Sequence, residues 1–306
     1  MLRFPCFSCD QNSGTSYTIS MVMAVTGKNT ATNYGRESLV ADGTSVGVLG
    51  DSPGAGGPFW LNGKGPIARS AGGYLLTKTH CGAFSYGRPL EIYLETPQTF
   101  TRQCLTGSRV VKDDGGQPAE KIVSYDKEHV KRAVHLIRDP FDNVVSRFHL
   151  EYKKFMRKNE TAKMALYPRT KEGFRAFCKT GDGREFIKKQ KSRSYREVFA
   201  EVLDVPCHAD FFRYVQWHNL AATTTWDLRL PTLVLHYENY TDDFNATKEL
   251  LLDFLEQEDV HAAPQFETGK VYREYFSEEE VKAVAVMFKA LALADTWERI
   301  RHYVGQ

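Results

Sequence analysis

The chain has 306 residues, 42% of them hydrophobic and 25% charged, with a net charge of +2. This balance excludes a disordered, collagen-like or disulfide-dense chain and allows a sizeable buried core. The longest apolar run, Tyr17–Val25, is shorter than the roughly 18 residues that cross a bilayer, so we expect no membrane span in this chain.

Strands and helices alternate along the chain. Short apolar runs predict strands at Leu2–Ser8, Gly73–Thr79, Arg132–Ile137 and Pro231–His236. Helical patterns predict helices at Tyr17–Val25, from Asp139-Pro140 beyond Tyr152, at Phe211–Ala222, at Thr247–Leu255 and, as one long C-terminal helix, after the capping box Ser277–Glu280. This order predicts an α/β fold with helices on both faces of a mainly parallel central sheet, formed by one domain over residues 1–306.

Three segments interrupt the alternation. Residues 42–66 are rich in Gly and Pro and are predicted as a long exposed loop, and residues 106–120 are predicted as turns. Residues 151–204 form a basic, mostly helical insertion, in which 15 Lys or Arg and 6 Asp or Glu residues lie between Glu151 and Glu197. This excess indicates an anionic partner such as nucleic acid, phospholipid headgroups or an acidic polysaccharide, and a solvated helical face is the alternative.

The cysteines allow two interpretations. Six are too few for a disulfide scaffold at this length, and Cys6-x-x-Cys9 lacks the second pair of a zinc site, so we predict no metal site. In an oxidising compartment we expect disulfides between Cys81 and Cys104 and between Cys178 and Cys207, whereas unpaired buried thiols are the alternative. Sequons for N-glycosylation, which also arise by chance, occur at Asn159, Asn239 and Asn245.

Polar residues follow the predicted strands at their carboxyl ends, where open parallel α/β sheets bind ligands. These segments are Ser13–Thr15, Lys78–His80, Arg138 and Tyr237–Glu238. In Asn12–Ser16 a small-residue turn opens a helix, so backbone N–H groups and the helix dipole favour an anion such as phosphate; the alternative is a plain helix cap. The segment is not a Walker A motif, which requires G-x-x-x-x-G-K-[ST].

Two further motifs carry acid–base and phosphate chemistry. His80 ends a strand two residues after Lys78, which suits a base that takes a hydroxyl proton while the Lys neutralises developing negative charge. Arg138 and Ser146 offer a charged fork and a hydroxyl donor to a phosphate. The alternatives are a solvated strand end for the first motif and an Arg paired with a neighbouring Asp for the second.

Three segments together resemble the motifs of the sulfotransferase superfamily, whose donor is 3′-phosphoadenosine 5′-phosphosulfate (PAPS). They are Ser13–Thr15, Lys78–His80 and Arg138-Asp-Pro-Phe-Asp-Asn-Val-Val-Ser146. Segments similar to carbohydrate-type members follow at Phe212–Asn219, Leu233–Asn239 and Gly269–Ser277. The resemblance implies a three-layer P-loop NTPase-like fold and in-line, metal-independent transfer of a sulfuryl group from PAPS to a hydroxyl. It implies a glycan or similar acceptor, which the basic segment suggests is anionic, and no nucleic-acid partner.

The resemblance also implies a role for each matching residue. His80 is the general base on the acceptor hydroxyl, and Lys78 contacts the transferring sulfonate. Arg138 and Ser146 bind the 3′-phosphate, and Tyr17 stacks on adenine. The residues that hold the 5′-phosphosulfate are Asn12, Ser13, Gly14, Thr15 and Ser16. Lys270 or Arg273 also contacts the 3′-phosphate.

One position departs from the family pattern. Family members carry a Lys or Arg that contacts the leaving-group oxygen, where this chain has Asn12, an amide that cannot neutralise charge. The consequence is reduced turnover, compensation by Lys78 or another cation, or an inactive enzyme.

Two other functions are alternatives to the sulfotransferase. One is a homologue that only binds the nucleotide or an acidic glycan, and the other is an ATP-using P-loop kinase. Because glycan-modifying members carry an N-terminal membrane anchor, the resemblance implies the Golgi lumen if such a segment precedes this sequence, and the cytoplasm otherwise.

Overall fold

The chain is α/β. The computed structural model describes residues 5–9, 13–34, 47–49, 52–53, 59–61, 74–81, 96–124, 127–182 and 193–306. Within these ranges the strands are β1 Pro5–Cys9, β2 Thr30–Thr32, β3 Gly47–Leu49, β4 Ser52–Pro53, β5 Phe59–Leu61, β6 Leu76–Thr79, β7 Thr106–Lys112, β8 Pro118–Ser124, β9 Arg132–Ile137 and β10 Thr232–His236.

Helices connect the strands and fill the basic segment. They are α1 Thr15–Thr26, α2 Pro97–Cys104, α3 Pro140–Arg157, α4 Thr161–Leu166, α5 Lys171–Gly181, α6 Arg193–Ala200, α7 His208–Asp227, α8 Asn239–Asp242, α9 Phe244–Leu255, α10 Glu278–Leu291 and α11 Ala294–Ile300. Short 3₁₀ turns lie at Lys127–His129, Arg273–Tyr275 and Arg301–Val304. The described part of residues 151–204 is thus mostly helical, as predicted.

Eight strands form one sheet in the order β10-β9-β1-β6-β2-β5-β3-β4. Neighbouring strands from β10 to β2 are parallel, and the pairs from β2 to β4 are antiparallel. Ser8 lies beside Thr79 and Ile137 lies beside His236. Because β1, β6, β9 and β10 run in the same direction, the residues after them lie along one edge of the sheet.

Two segments predicted as irregular contain strands. Three short strands, β3 to β5, lie within the predicted loop 42–66, and they add to the sheet beyond β2. Pro53 is tolerated because β4 is the last strand of the sheet. Residues 106–120, predicted as turns, belong mostly to a hairpin of β7 and β8. Only its tip, near Asp113, is a turn. Cross-strand pairing therefore overrides the local Gly and Pro signals.

Apolar side chains pack against both faces of β9. Its alternate residues Val134 and Leu136 belong to a buried cluster with α1, α2 and α9, whereas Ile137 belongs to a second cluster with α3, α5 and α10. Strand residues alternate between faces, so β9 is covered on both sides. Phe211 on α7 packs in the second cluster and Trp217 in the first, so the same helix contributes to both.

Both predicted disulfides are present. Cys81 is bonded to Cys104 with a Cα–Cα separation of 4.1 Å, and Cys178 is bonded to Cys207 with a separation of 4.5 Å. The first joins the end of β6 to the end of α2, and the second joins α5 to the start of α7. In the part of the chain that the structure describes, no helix is both long and apolar enough to cross a bilayer.

Buried histidines couple the stability of the fold to pH. His135 on β9 is 2% exposed, and its Nε2 atom has no hydrogen-bond partner among the described residues. Burial, aided by the charge of Arg299, lowers the pKa of His135 from 6.5 to about 3. Between these values the unfolded chain binds a proton at His135 that the folded chain does not bind, so this residue makes stability fall as the pH falls.

We expect His135→Leu to make the protein less sensitive to acid. Below about pH 6 the substitution should reduce the pH slope of the unfolding free energy by about 1.4 kcal/mol per pH unit, because one linked proton is removed. Urea denaturation between pH 7.5 and 5 measures this slope. As a control, Val134→Ala removes apolar volume from the same strand without removing a titratable group and should leave the slope of the wild type unchanged. Equal slopes for His135→Leu and the wild type would contradict the burial argument.

Candidate functional site

The segment Ser13–Gly14 opens helix α1 at the edge where β1 ends. Gly14 is the N-cap residue with φ of 90°, and its carbonyl accepts the Thr18 N–H at 3.0 Å. Among the described residues, no side chain caps α1, and its first turn carries no acidic residue. The positive end of the helix dipole and its N–H groups therefore lie at this edge, an arrangement that favours an anion. Ser13 is buried, and Ser16 is exposed.

Tyr237, which follows β10, packs directly against this turn. A Cβ atom on Gly14 would lie 2.5 Å from Cδ2 of Tyr237. The ring cannot easily move, because the Arg138 guanidinium lies over it at 4.4 Å and Phe266 contacts it edge-on at 5.1 Å. Glycine at position 14 thus serves both the positive φ and the close approach of Tyr237.

We expect Gly14→Ala to destabilise the protein by about 2–4 kcal/mol, because it combines a left-handed backbone penalty with overlap against a fixed ring. Urea denaturation measures this loss. The matched control is Gly116→Ala in the β7–β8 turn, where φ is also positive, at 74°, and nothing lies within 4 Å of the added Cβ atom. Equal losses for the two variants would mean that Tyr237 does not restrict position 14.

Arg138 follows β9 and is held from several directions. Its Nη1 atom donates to Ser146 Oγ at 3.0 Å, and its Nη2 atom donates to the Lys270 carbonyl at 3.1 Å. Its carbonyl accepts a hydrogen bond from Tyr214 Oη at 2.8 Å. The predicted pair of Arg138 and Ser146 is therefore in contact, and Pro140 and the Asp139 cap begin the helix that carries Ser146 beneath the guanidinium.

Asn143 connects the two predicted anion-binding segments, and sequence analysis did not single it out. Its Nδ2 atom donates to Ser13 Oγ at 3.1 Å, and Asn143 is 1% exposed. It lies one turn before Ser146 on α3, so the same helix supports Arg138 and the Ser13–Gly14 turn. The available signal in the sequence was an amide between Asp142 and Val144, one helical turn before Ser146.

Lys78 and His80 lie at the end of β6, the strand next to β1. Lys78 is in register with Phe7, and its side chain is 6% exposed. His80 is half-buried, and its carbonyl accepts a hydrogen bond from Trp217 Nε1 at 3.1 Å. A cation and an imidazole therefore lie on the strand beside the one that leads into the Ser13–Gly14 turn.

Residues 257–272 run across the site between α9 and α10. Tyr17 donates from Oη to the Pro264 carbonyl at 2.8 Å, and its ring meets Phe266 edge-on at 4.7 Å. Burial raises the pKa of Tyr17 to about 12. The Lys270 carbonyl reaches Arg138, whereas the Lys270 ammonium pairs with Glu267 at 2.8 Å. The contribution of position 270 to the Arg138 site is thus its backbone.

Arg273 is directed towards the C-terminal turn. Its Nη1 atom donates to the Tyr303 carbonyl at 2.7 Å, and its guanidinium lies 4.1 Å from the centre of the Phe141 ring. Burial lowers the pKa of Arg273, and the carboxylates of Asp139 and Asp142 oppose that shift. In this structure its described contacts support the start of α3, next to Arg138.

A hydrogen-bonded chain supports the same helix start. Tyr303 Oη donates to Glu238 Oε2 at 2.7 Å and lies 2.7 Å from His236 Nδ1. Glu238 Oε1 accepts the Asp139 N–H at 2.8 Å. Burial, together with the charge of Asp142, raises the pKa of Asp139 to about 7. Near neutral pH this carboxyl is therefore partly protonated, which weakens its repulsion of an anion beside Arg138.

Asn12 lies outside the described residues. In the ranges given above, no group of three or more His, Cys, Asp or Glu side chains is gathered as a metal-ligand set. Comparison with known proteins yields no matching family model, no matching curated protein and no matching solved structure. A functional proposal therefore rests on the contacts within the site.

Proposed function

We propose that the chain is a PAPS-dependent sulfotransferase that moves a sulfuryl group to a hydroxyl of a carbohydrate or similar acceptor. We further propose that its sheet and helices form a three-layer, P-loop NTPase-like fold with a mainly parallel central sheet. The observation that carries the proposal is the pairing of Arg138 with Ser146 beside the uncapped start of α1. Two anion-binding groups joined by Asn143 suit a donor that is anionic at two positions.

Each end of PAPS has a matching group in this arrangement. The 5′-phosphosulfate would lie at the N–H groups and hydroxyls of Ser13–Ser16, and the 3′-phosphate would lie beside the hydrogen-bonded pair of Arg138 and Ser146. A planar guanidinium binds phosphate through two parallel hydrogen bonds, and a hydroxyl adds a third. Tyr237 lies between the two positions, in contact with Gly14 and Arg138.

In the proposed reaction the acceptor oxygen attacks sulfur in line with the leaving group. His80 takes the acceptor hydroxyl proton as the new O–S bond forms. The bond between sulfur and the 5′-phosphate oxygen breaks, and 3′,5′-ADP leaves with that electron pair. Lys78 would stabilise charge on the transferring group, where a buried cation acts more strongly than one in water.

The surface of the basic segment supports an anionic acceptor. Exposed cations of this segment on or directly after α3 and on α5 include Lys153, Arg157, Lys158, Lys171 and Lys179. Such a surface attracts a polyanion and raises its rate of encounter. The two disulfides support maturation in an oxidising compartment, so we propose a location in the secretory pathway, of which the Golgi lumen is the part that the resemblance implies.

Ligand binding followed by a transfer assay tests the proposal. A ligand at 100 times its Kd stabilises the folded state by about 2.7 kcal/mol, so thermal unfolding should respond to 3′,5′-ADP and not to ATP with Mg²⁺. Transfer from ³⁵S-labelled PAPS to a panel of glycans should then give labelled product. Binding of 3′,5′-ADP without transfer would identify a homologue that only binds the nucleotide, and stabilisation by ATP with Mg²⁺ alone would favour a kinase.

A further inference from the structure

The backbone of His80 is held on both sides at the end of β6. Its N–H donates to Tyr34 Oη at 2.8 Å, and its carbonyl accepts from Trp217 Nε1 at 3.1 Å. The next residue, Cys81, has φ of 47° and is bonded to Cys104. Two hydrogen bonds therefore hold the backbone of His80, and the disulfide holds the residue that follows it.

Tyr34 also faces the imidazole itself. The ring centroids of Tyr34 and His80 are 5.4 Å apart, with an angle of 26° between the planes, which is a stacked arrangement. Sheet geometry explains the match, because β2 and β6 are parallel and Thr32 lies beside Lys78. Tyr34 and His80 each follow this pair by two residues, just beyond the ends of β2 and β6, and they are again neighbours.

This stacking has a chemical consequence for a base. When His80 takes a proton, the imidazole becomes a cation, and an aromatic face within about 6 Å attracts a cation. A base must also point at the hydroxyl proton, and a misplacement of about 1 Å can reduce a rate about a hundredfold. Tyr34 is half-buried, and its ring and its hydroxyl both contact His80.

We propose that Tyr34 is the positioning residue of His80, holding its backbone through the phenol oxygen and its imidazole through the ring. The inference rests on the proposed function, in which His80 is the base. It assigns the orientation of the base to a residue just after β2, more than 40 positions earlier in the chain.

Two substitutions separate the ring from the hydroxyl. Tyr34→Leu removes both contacts and should lower kcat for sulfuryl transfer about ten- to a hundredfold, with KM for PAPS within twofold of the wild type. Tyr34→Phe retains the ring and should recover kcat to within about fivefold of the wild type. Trp226→Leu, at an exposed aromatic residue near the end of α7, is the control and should leave both constants unchanged. Equal losses in the Leu and Phe variants, or a Leu variant with wild-type kcat, would overturn the proposal.

A second measurement does not depend on turnover. With ¹³C-labelled histidine, the Cε1–H resonance of His80, assigned by its loss in His80→Gln, should show a ring-current displacement in the wild type and Tyr34→Phe. Tyr34→Leu should lose this displacement while its thermal unfolding and 3′,5′-ADP affinity stay close to those of the wild type. A resonance that does not move in Tyr34→Leu would refute the stacking role. Absence of transfer by the wild type would instead refute the proposed function, and the resonance would still report on Tyr34.

Discussion

His80→Ala is expected to lower sulfuryl transfer by at least a hundredfold while 3′,5′-ADP affinity stays within twofold of the wild type. A positioned general base contributes about 10²–10⁴ in rate, and the donor groups proposed here lie on other segments. His80 is at the end of β6, whereas Ser13–Gly14, Arg138 and Ser146 are joined through Asn143 and Tyr237. Initial rates with labelled PAPS and calorimetric titration with 3′,5′-ADP measure the two quantities.

The control for this variant is His129→Ala. His129 lies in the 3₁₀ turn that precedes β9, whereas Arg138 follows that strand. It should retain wild-type turnover and nucleotide affinity. Wild-type turnover in His80→Ala, or a loss of 3′,5′-ADP affinity as large as that expected for Arg138→Ala, would contradict the assignment of His80 as the base.

Arg138→Ala should produce the opposite pattern. It should weaken binding of 3′,5′-ADP about ten- to a hundredfold and binding of 5′-AMP much less, because charge-assisted hydrogen bonds contribute about 1.5–3 kcal/mol and only the first nucleotide has a 3′-phosphate. Titration of both nucleotides into the same variant measures the change in their ratio, which is insensitive to differences in active fraction.

Arg138 is 2% exposed, so its replacement also removes internal hydrogen bonds, and a gentler variant is needed beside it. Ser146→Ala removes one hydroxyl and should reduce the same ratio by about three- to tenfold. Ser16→Ala is the contrast, because it touches the 5′ side and should weaken both nucleotides equally. If Arg138→Ala weakens 5′-AMP and 3′,5′-ADP by the same factor, Arg138 has a structural role only.

Much of the regular structure was predictable from local patterns. The strand Arg132–Ile137 was predicted with its observed bounds, and the helix after Asp139 was correct because Pro140 and the Asp139 cap are local signals. The capping box at Ser277 is also present, with Glu280 bonded back to the Ser277 N–H. The long helix predicted to begin there ends at Leu291, where Asn219 on α7 bonds both the Leu291 carbonyl and the Leu293 N–H and separates this helix from α11.

The residues of the site could be predicted from the sequence, but the contacts between them could not. Its motif residues are readable in the sequence because turns, glycines and charged residues follow apolar strands, whereas their mutual contacts depend on strand order. Tyr237 was noted only as a polar residue after a strand, and its approach to Gly14 follows from the distance between β10 and β1 in the sheet. Lys270 was predicted for its ammonium, whereas its backbone carbonyl meets Arg138.

The amino-acid sequence by itself determined the α/β alternation, the capped helix starts and the set of polar segments after the strands, because each depends on neighbours within a few positions. Only the tertiary structure decided that β3–β5 extend the sheet, that Asn143 joins Ser13 to α3, and that Tyr34 stacks on His80. The contacts of Asn143 with Ser13 and of Tyr34 with His80 join residues 130 and 46 positions apart. They arise from register and packing, which no local pattern of residues encodes.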